Sequence, residues 1–285
     1  MSTSTAEAHF QRTAPGLRVL RWPALNGHGV DAFVTTRDGG VSTGRYASLN
    51  LGLHVGDDDA AVLANRAKVA DALGAELDDF VFCEQAHRRN VVVVTDEHRG
   101  RGARSAADAI PATDALVTTV PGVILVVMVA DCVPLVLHDP VAGVLACVHA
   151  GWGGTVRGVT PAAVTAMRQL GSEPRDIVAC VGPAIHPDRY QVGADVVDAA
   201  RAAFGDQLDT VVRPDGTGRW TFDLWRANTL QLVAAGVPAG QVHVTALDTG
   251  PDSPFFSHRA GGPCGRFAAV ARLREKDQPH EKDQP

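Results

Sequence analysis

Disulfide chemistry is the first thing this sequence lacks. Its 285 residues hold five cysteines, Cys83, Cys132, Cys147, Cys180 and Cys264, odd in number, irregular in spacing and without a CxxC pair. That pattern excludes the framework of a small stapled scaffold. Positive charge is also short. Lys and Arg total 26 against 32 Asp and Glu, a formal net charge of −6, so the footprint of a nucleic-acid partner is missing. A small anionic ligand stays open, since a few arginines suffice for one. The most apolar stretch, Val123 to Ala130, lies between Pro121-Gly122 and Asp131. It falls far short of the roughly 18 residues that span a bilayer, so no membrane partner is expected. The opening MSTSTAEAHF lacks a basic region followed by an apolar core. Together these absences point to a reducing, cytoplasmic setting.

Several catalytic signatures are missing as well. No HxH pair occurs, whereas true multicopper oxidases need many. The zinc deaminase pattern HxE…PCxxC and the metalloprotease HExxH are absent.

What is present reads as an ordinary globular chain, 45% hydrophobic and 20% charged, long enough to bury a core without staples. Residues 1–15 read as a polar, flexible N-terminus, and 16–274 as one catalytic domain with no dividing linker. Residues 275–285 carry EKDQP twice and read as a disordered polar tail. Strands are expected over Leu17–Leu25 and Val30–Thr36, joined at Asn26-Gly27. A helix runs from the Asp57–Asp59 carboxylates to Leu73 and stops at Gly74. Strands Phe80–Cys83 and Val91–Thr95 flank a loop at Glu84–Asn90, and 98–113 reads as a surface loop. Apolar β runs follow at Ala115–Thr118, Val123–Ala130, Val133–Leu137, Val144–Val148, Ile177–Val181, Val242–Ala246 and Phe267–Leu273. Helices are expected at Val159–Leu170, Gly193–Phe204 and Leu224–Ala235. Strands and helices mix without a strict βαβ rhythm, so the class is α+β, a sandwich with mixed sheets.

Chemistry concentrates in Asp131–Gly151. If Asp139–Ala142 is a four-residue turn with His138 pairing Gly143, then Cys132 stands opposite His149. Their Cβ atoms would be about 4.5–5.5 Å apart, a spacing that suits two ligands of one metal. A catalytic zinc usually takes three protein ligands and leaves one position open. His87, in the polar loop, is the third candidate; His54 and His138 compete with it. The plainer alternative makes Cys132 and Cys147 small core residues and His149 a satisfied buried histidine. Gly151-Trp152-Gly153-Gly154 is either an anion-holding turn or a packing turn. Arg66 shares the helix's apolar face with Val62, Val69, Ala70 and Leu73. It is either an ion-paired or snorkelling side chain or an anion-binding group.

The stretches TTRDGGVST (35–43), SLNLGLHVGDD (48–58), NR (65–66), EQAH (84–87), TDALVT (113–118), ADCVPLVL (130–137), VHAGW (148–152), VGPAI (181–185), FDLWRAN (222–228) and FFSHRAGGPCGR (255–266) occur in this order. In them the chain resembles the YfiH-like family, long labelled laccase-domain or multicopper polyphenol oxidase proteins, from about Val34 to Arg272. The resemblance implies an α/β/β/α sandwich of mixed β-sheets. It implies a metal site of His87, Cys132 and His149, taking zinc, with copper possible because His₂Cys suits either. It implies a purine nucleoside phosphorylase whose partners are adenosine, inosine or methylthioadenosine and phosphate, together with adenosine deamination. Copper-dependent polyphenol oxidation is the older claim. Arg66 and Arg37 are then expected to hold the anion, with Asn50 and Arg259 also binding substrate. Asp131 or Glu84 would move protons, although Asp131, next to a ligand, would point away on a strand. Two departures stand out. Gly153 replaces the arginine of the family's GWRG, with Arg157 one helical turn on as a partial substitute. Ala260 replaces a second arginine after Arg259. Two other readings stay open: a Cys132/His149 nucleophilic hydrolase, and a nucleoside-binding protein whose site has decayed. Oligomeric state has no signal in the sequence.

Overall fold

The computed structural model describes residues 8–275 apart from Pro15 and Thr217. Its strands are, in chain order, β1 (His9–Arg12), β2 (Arg18–Arg21), β3 (Val30–Thr35), β4 (Phe80–Phe82), β5 (Val91–Val94), β6 (Ala115–Thr118), β7 (Ile124–Val129) and β8 (Val133–Asp139). They continue with β9 (Val144–Ala150), β10 (Val178–Val181), β11 (Gln191–Val192), β12 (Val212–Pro214), β13 (Trp220–Phe222), β14 (Val242–Val244) and β15 (Phe267–Leu273). The helices are α1 (Asp59–Asp71), α2 (Trp152–Val156), α3 (Val159–Gln169), α4 (Ala194–Phe204), α5 (Leu208–Val211), α6 (Leu224–Ala234) and α7 (His258–Gly261). One mixed sheet has the order β1-β2-β3-β15-β7-β4, and a second has β14-β10-β8-β9-β6-β5.

Side-chain alternation on the central strands sets the layers. In β7, Leu125, Val127 and Val129 face the second sheet, where they meet Leu116, Val136, Leu145, Cys147 and Cys180. The other face, Ile124, Val126 and Met128, packs with Val69 and Ala70 of α1 and with Leu49 and Leu51. In β9, Val144, Ala146 and Val148 turn outward onto Val159, Ala163 and Met167 of α3, in a core shared with α4 and α6. Strands covered on both faces must be apolar on both, which is why these segments read as unbroken hydrophobic runs. The result is the expected α/β/β/α sandwich. Cys147 and Cys180 are plain inter-sheet filling, so the small-core reading holds for Cys147.

The structure corrects several expectations. His9–Arg12, expected to be loose, pairs antiparallel with β2. Leu17–Leu25 is a strand only over Arg18–Arg21; Pro23 then starts a short 3₁₀ turn to Leu25, because its ring fixes φ and removes a sheet donor. The stretch 98–113 is not all surface, since Ala103 and Ile110 are buried. The three-stranded sheet β11-β13-β12 was not foreseen; strands of two or three residues carry no readable period. The expected tail from residue 276, like residues 1–7, lies outside the described residues. Among the described residues no helix is long and apolar enough to cross a membrane.

The β8–β9 hairpin also differs in register. Asp139 pairs Val144, so His138 faces Leu145, and His149 faces Pro134 rather than Cys132. The turn therefore falls one residue later than expected, at Pro140–Gly143. Gly143 supplies its left-handed residue at φ 67°, and the Asp139 carboxylate accepts from the backbone N–H groups of Val141 and Ala142 at 2.8 and 2.9 Å. Parity survives the shift, so Cys132 and His149 still share a face, as diagonal rather than opposite neighbours. Gly143→Ala forces a side chain into the left-handed region with no steric contact nearby. It is expected to cost about 1–2 kcal/mol, seen as a lower urea midpoint; an unchanged midpoint would show that this turn does not fix the register.

Candidate metal centre

The site forms where the chain crosses from one sheet to the other, and it does so twice at the same end. The loop from β4 to β5 carries His87. The step from β7 to β8 carries Asp131 and Cys132, and the end of β9 brings His149 beside them. The ligand atoms of His87, Cys132 and His149 all lie within 4.8 Å of one another. His87 Nε2 is 3.8 Å from Cys132 Sγ, and the two imidazole rings stand edge to face at 4.8 Å. Around zinc, with bonds of about 2.0 Å to nitrogen and about 2.3 Å to sulfur, tetrahedral edges are roughly 3.5 Å, so this donor set fits a single ion.

Asp114, at the foot of β6, organises the cluster. It is fully buried, and its Oδ1 accepts from His149 Nδ1 at 2.8 Å and from the His87 N–H at 2.9 Å. Its Oδ2 accepts from the N–H groups of Arg88 at 2.7 Å and Ala86 at 3.3 Å. Because a carboxylate only accepts, His149 must carry its proton on Nδ1, which leaves Nε2 free to face the sulfur and a metal. Burial by itself would raise the Asp114 pKa, but the hydrogen bonds from His149, Arg88 and His87 hold it below the usual carboxylate range.

Cys132 and His149 form an ion pair before any metal arrives. Burial favours the neutral thiol, yet the charge and hydrogen bond of His149, then those of His87, pull the Cys132 pKa down to about 6. Burial likewise disfavours a charged His149, but the Cys132 thiolate and then Asp114 raise its pKa to about 9. The thiolate a metal requires is thus formed at neutral pH.

Gly151 shows how closely the pieces meet. A Cβ there would lie 2.7 Å from His87 Cδ2 and 2.8 Å from Cys132 Sγ. The Gly-Trp-Gly-Gly turn is therefore a packing turn, opening the short helix α2 against the His87 loop.

These residues floor a cavity of about 590 Å³. Of the expected substrate groups, Arg66 and Arg259 reach its wall, whereas Arg37 and Asn50 are not among the lining residues. Arg37 donates to the Ala47 carbonyl through Nε and Nη2 and stacks on Phe256. Asn50 is buried and spends its amide on Gly52, Asp57 and Arg266, so both serve loop structure. Arg66 is held by backbone carbonyls, donating to Leu51, Gly102 and Ala103 at 2.6–2.9 Å with its guanidinium 3.8 Å over Phe82. Burial, partly offset by Asp59, lowers its pKa to about 9. Its place on the apolar face thus has an answer the sequence did not show: carbonyls rather than a counterion. Asp131, at φ 85°, turns its carboxylate to Thr249 Oγ1, Ser257 Oγ and the Arg259 N–H at 2.6–2.7 Å, and so pins α7 over the cavity. Glu84 lines the cavity and accepts from the Ala112 N–H.

Of the competing histidines, His138 sits at the far hairpin end against the carbonyls of His28 and Val144. His54 lies in the cavity wall, its pKa pulled to about 4 by burial, then Arg266 and Arg66, which keeps it neutral. Arg157 folds back onto the Gly153 carbonyl at 2.8 Å and does not line the cavity. Ala260 lies exposed in α7. Sequence reasoning missed Asp114, Tyr190 and Arg266, all at or beside the cavity. For Asp114 a signal existed, a lone carboxylate opening a fully apolar strand. One string invites misreading: Gly40-Val41-Ser42-Thr43-Gly44 spells GxSxG. Ser42 is nonetheless buried in a loop, accepts from Asn65 Nδ2 at 2.9 Å and leads into a 3₁₀ turn rather than the helix of a nucleophile elbow.

The chain as a whole resembles proteins already known. Residues 31–274 match the profile described as multi-copper polyphenol oxidoreductase laccase, and the chain belongs to that laccase-domain, YfiH-like family. Among its relatives, purine nucleoside phosphorylase YlmD of Geobacillus stearothermophilus is 40% identical over 270 residues, covering 94% of this chain and 98% of that protein. Adenosine deaminase RL5, from an unknown prokaryotic organism, is 42% identical over 238 residues, covering 82% and 90%. The crystal structure of YlmD from Geobacillus stearothermophilus superposes with a TM-score of 0.88 at 40% identity, covering 94% of this chain and all of that one.

Two outcomes are expected. Gly151→Ala pushes a methyl into the ligands and should weaken zinc binding about 10–100-fold in protein that keeps a native circular dichroism spectrum; unchanged affinity would show that the ligands do not converge here. In metal-free protein, alkylation of Cys132 by iodoacetamide should rise with pH through about 6 and level off. The midpoint should move upward in His149→Ala; a wild-type midpoint near 8.5, that of an ordinary thiol, would refute the ion pair.

Proposed function

We propose that this protein is a metal-dependent purine nucleoside phosphorylase, converting adenosine, inosine or methylthioadenosine with phosphate into the free base and ribose 1-phosphate, with adenosine deamination at the same site. The observation that carries this reading is the His87–Cys132–His149 cluster in the floor of a cavity walled by Arg259 and Arg266. The names of the relatives support it. The cavity size falls in the range that small-molecule sites occupy, about 300–1,000 Å³. We take the two sheets and their helices to act as one catalytic domain. All five cysteines are free, in keeping with a reducing cytoplasm.

His87, Cys132 and His149 would hold zinc, or copper, which the same donors accept. The bound ion supplies Lewis acidity for the base or sugar and a means of acidifying water. The remaining work belongs to the chain. In phosphorolysis a phosphate oxygen forms a bond to C1′ as the bond from C1′ to N9 of the base breaks. Arg259 and Arg266, facing the cavity, hold the anion against the oxocarbenium-like sugar, with Arg66 as fixed positive charge behind them. Burial, with the Cys132 thiolate, pushes the Tyr190 hydroxyl pKa up, so it remains a proton donor in the wall. In deamination, water attacks C6 and ammonia leaves. Glu84, at the wall, takes and returns the proton, while Asp131, with three bonds to α7 and its neighbours, is a positioning residue.

A specific observation supports a second reading. Cys132, His149 and Asp114 align as thiolate, imidazolium and carboxylate, the arrangement of a nucleophilic hydrolase. His87 as a third donor favours the metal, and metal analysis separates the two. Purified protein is expected to contain one zinc per chain and to release hypoxanthine from inosine only when phosphate is present. Chelation should abolish turnover and added zinc restore it. Cys132→Ala should lower the rate by at least about 100-fold; full activity in that variant would sink the metal-centred mechanism.

A further inference from the structure

Against the other side of the His87 loop, adjoining the catalytic cavity, lies a second groove, about 940 Å³ in volume. Arg88, Arg89 and Arg157 line it together with Ala86, Asn90 and Gly153; His87 and Trp152 line both it and the cavity, and no carboxylate is among its lining residues. Three guanidinium groups without an acid stand out on a chain of net charge −6. Among the described residues, none of the three has an ion-pair partner, and Arg88 and Arg89 have no side-chain hydrogen bond. Arginines left unpaired at one concave place keep their donors for a ligand.

The groove is also built rather than incidental. Arg157 is fixed by its bond to the Gly153 carbonyl. A Cβ at 153 would sit 2.8 Å from Arg157 Nη1, and one at 154 would sit 3.1 Å from the Arg88 carbonyl. The two glycines are thus what lets the arginine-bearing segments close on each other. On the other side, the Arg88 N–H is held by buried Asp114 at 2.7 Å. The half-buried Trp152 indole forms one wall, a surface on which a flat ring can stack.

We propose that this groove, which adjoins the catalytic cavity at His87 and Trp152 but has arginines of its own, is a binding site for a phosphate group, and that its ligand is a purine nucleotide or free phosphate. Guanidinium groups pair with phosphate oxygens in a fixed, bidentate geometry, and Trp152 adds stacking for a base. The inference does not depend on phosphorolysis, because the three arginines that carry it lie outside the cavity.

The test is calorimetric titration of the metal-loaded protein with ADP and AMP in the presence of saturating inosine, and of the Cys132→Ala protein with inorganic phosphate and adenosine. The Cys132→Ala protein serves for those two ligands so that neither phosphorolysis nor deamination runs during the titration. ADP is expected to bind despite inosine. Its affinity should fall about tenfold or more in Arg89→Ala and in Arg157→Ala and weaken as salt rises. Adenosine should be indifferent to both changes. Binding of ADP and AMP but not of phosphate identifies a nucleotide site, whereas phosphate binding with the same sensitivity identifies free phosphate; either supports the groove. Arg89→Ala should leave inosine turnover at saturating substrate within twofold of wild type, which distinguishes this site from the catalytic one. Nucleotide and phosphate affinities that stay within twofold in both variants, or ADP binding that inosine displaces, would overturn the proposal.

Discussion

Everything at the site depends on one buried carboxylate. Asp114 has no solvent exposure, and a charge so placed is costly unless fully hydrogen-bonded. It meets that condition with four donors: three successive backbone N–H groups of the His87 loop and the Nδ1–H of His149. The same bonds that stabilise the charge fix the geometry. They hold a non-glycine residue, His87, at φ 54°, a strained conformation that persists where the surroundings dictate it. They also set the His149 tautomer. Two of three candidate ligands, one from each side of the sandwich mouth, are thereby oriented by a single residue that cannot itself touch a metal.

The third ligand gains from this arrangement electrostatically. The Cys132 thiolate and, after it, Asp114 favour the protonated form of His149, and protonated His149 in turn favours the Cys132 thiolate. Negative carboxylate, positive imidazole and negative sulfur alternate along one short line, each favouring the charge on the next. A metal held by His87, Cys132 and His149 would displace the shared proton and supply positive charge beside the sulfur in its place. That explains how a thiolate sits at the end of an apolar inter-sheet core where Cys83 and Cys147, without such neighbours, are pushed up to remain neutral thiols.

How far the sequence foretold this differs by feature. The layer order was legible because strands covered on both faces must be apolar throughout, and β7, β8 and β9 show it. The pairing of Cys132 and His149 was legible in parity but not in register. The alternation fixes the face, whereas the register depends on which residue takes the left-handed position, and Gly143 rather than the Asp139-Pro140 pair decided it. Arg66 was correctly placed on an apolar face, yet its partners come from carbonyls at 51, 102 and 103, far apart in sequence. Backbone acceptors have no residue signature, so a buried arginine satisfied by them looks the same in sequence as one awaiting an anion. Arg37 and Asn50 illustrate the same limit: polar residues in a motif can serve the loop that carries the motif.

The glycines at 151, 153 and 154 bring these threads together. Each lacks a side chain because another backbone or ligand occupies the place a Cβ would need: His87 and Cys132 at 151, Arg157 and the His87 carbonyl at 153, the Arg88 carbonyl at 154. The turn is therefore shaped by close approach rather than by an anion bound to its amides. Gly153 in particular is not simply a lost arginine. With no side chain there, Arg157 lies back across the turn, and a guanidinium remains beside Trp152. It lines the outer groove and not the cavity, whose cationic wall comes from Arg66 of α1 and from Arg259 and Arg266, the last two on the segment that Asp131 ties down. Positive charge thus lies on both sides of the His87 loop, and that loop, anchored by Asp114, stands between the two sets of arginines.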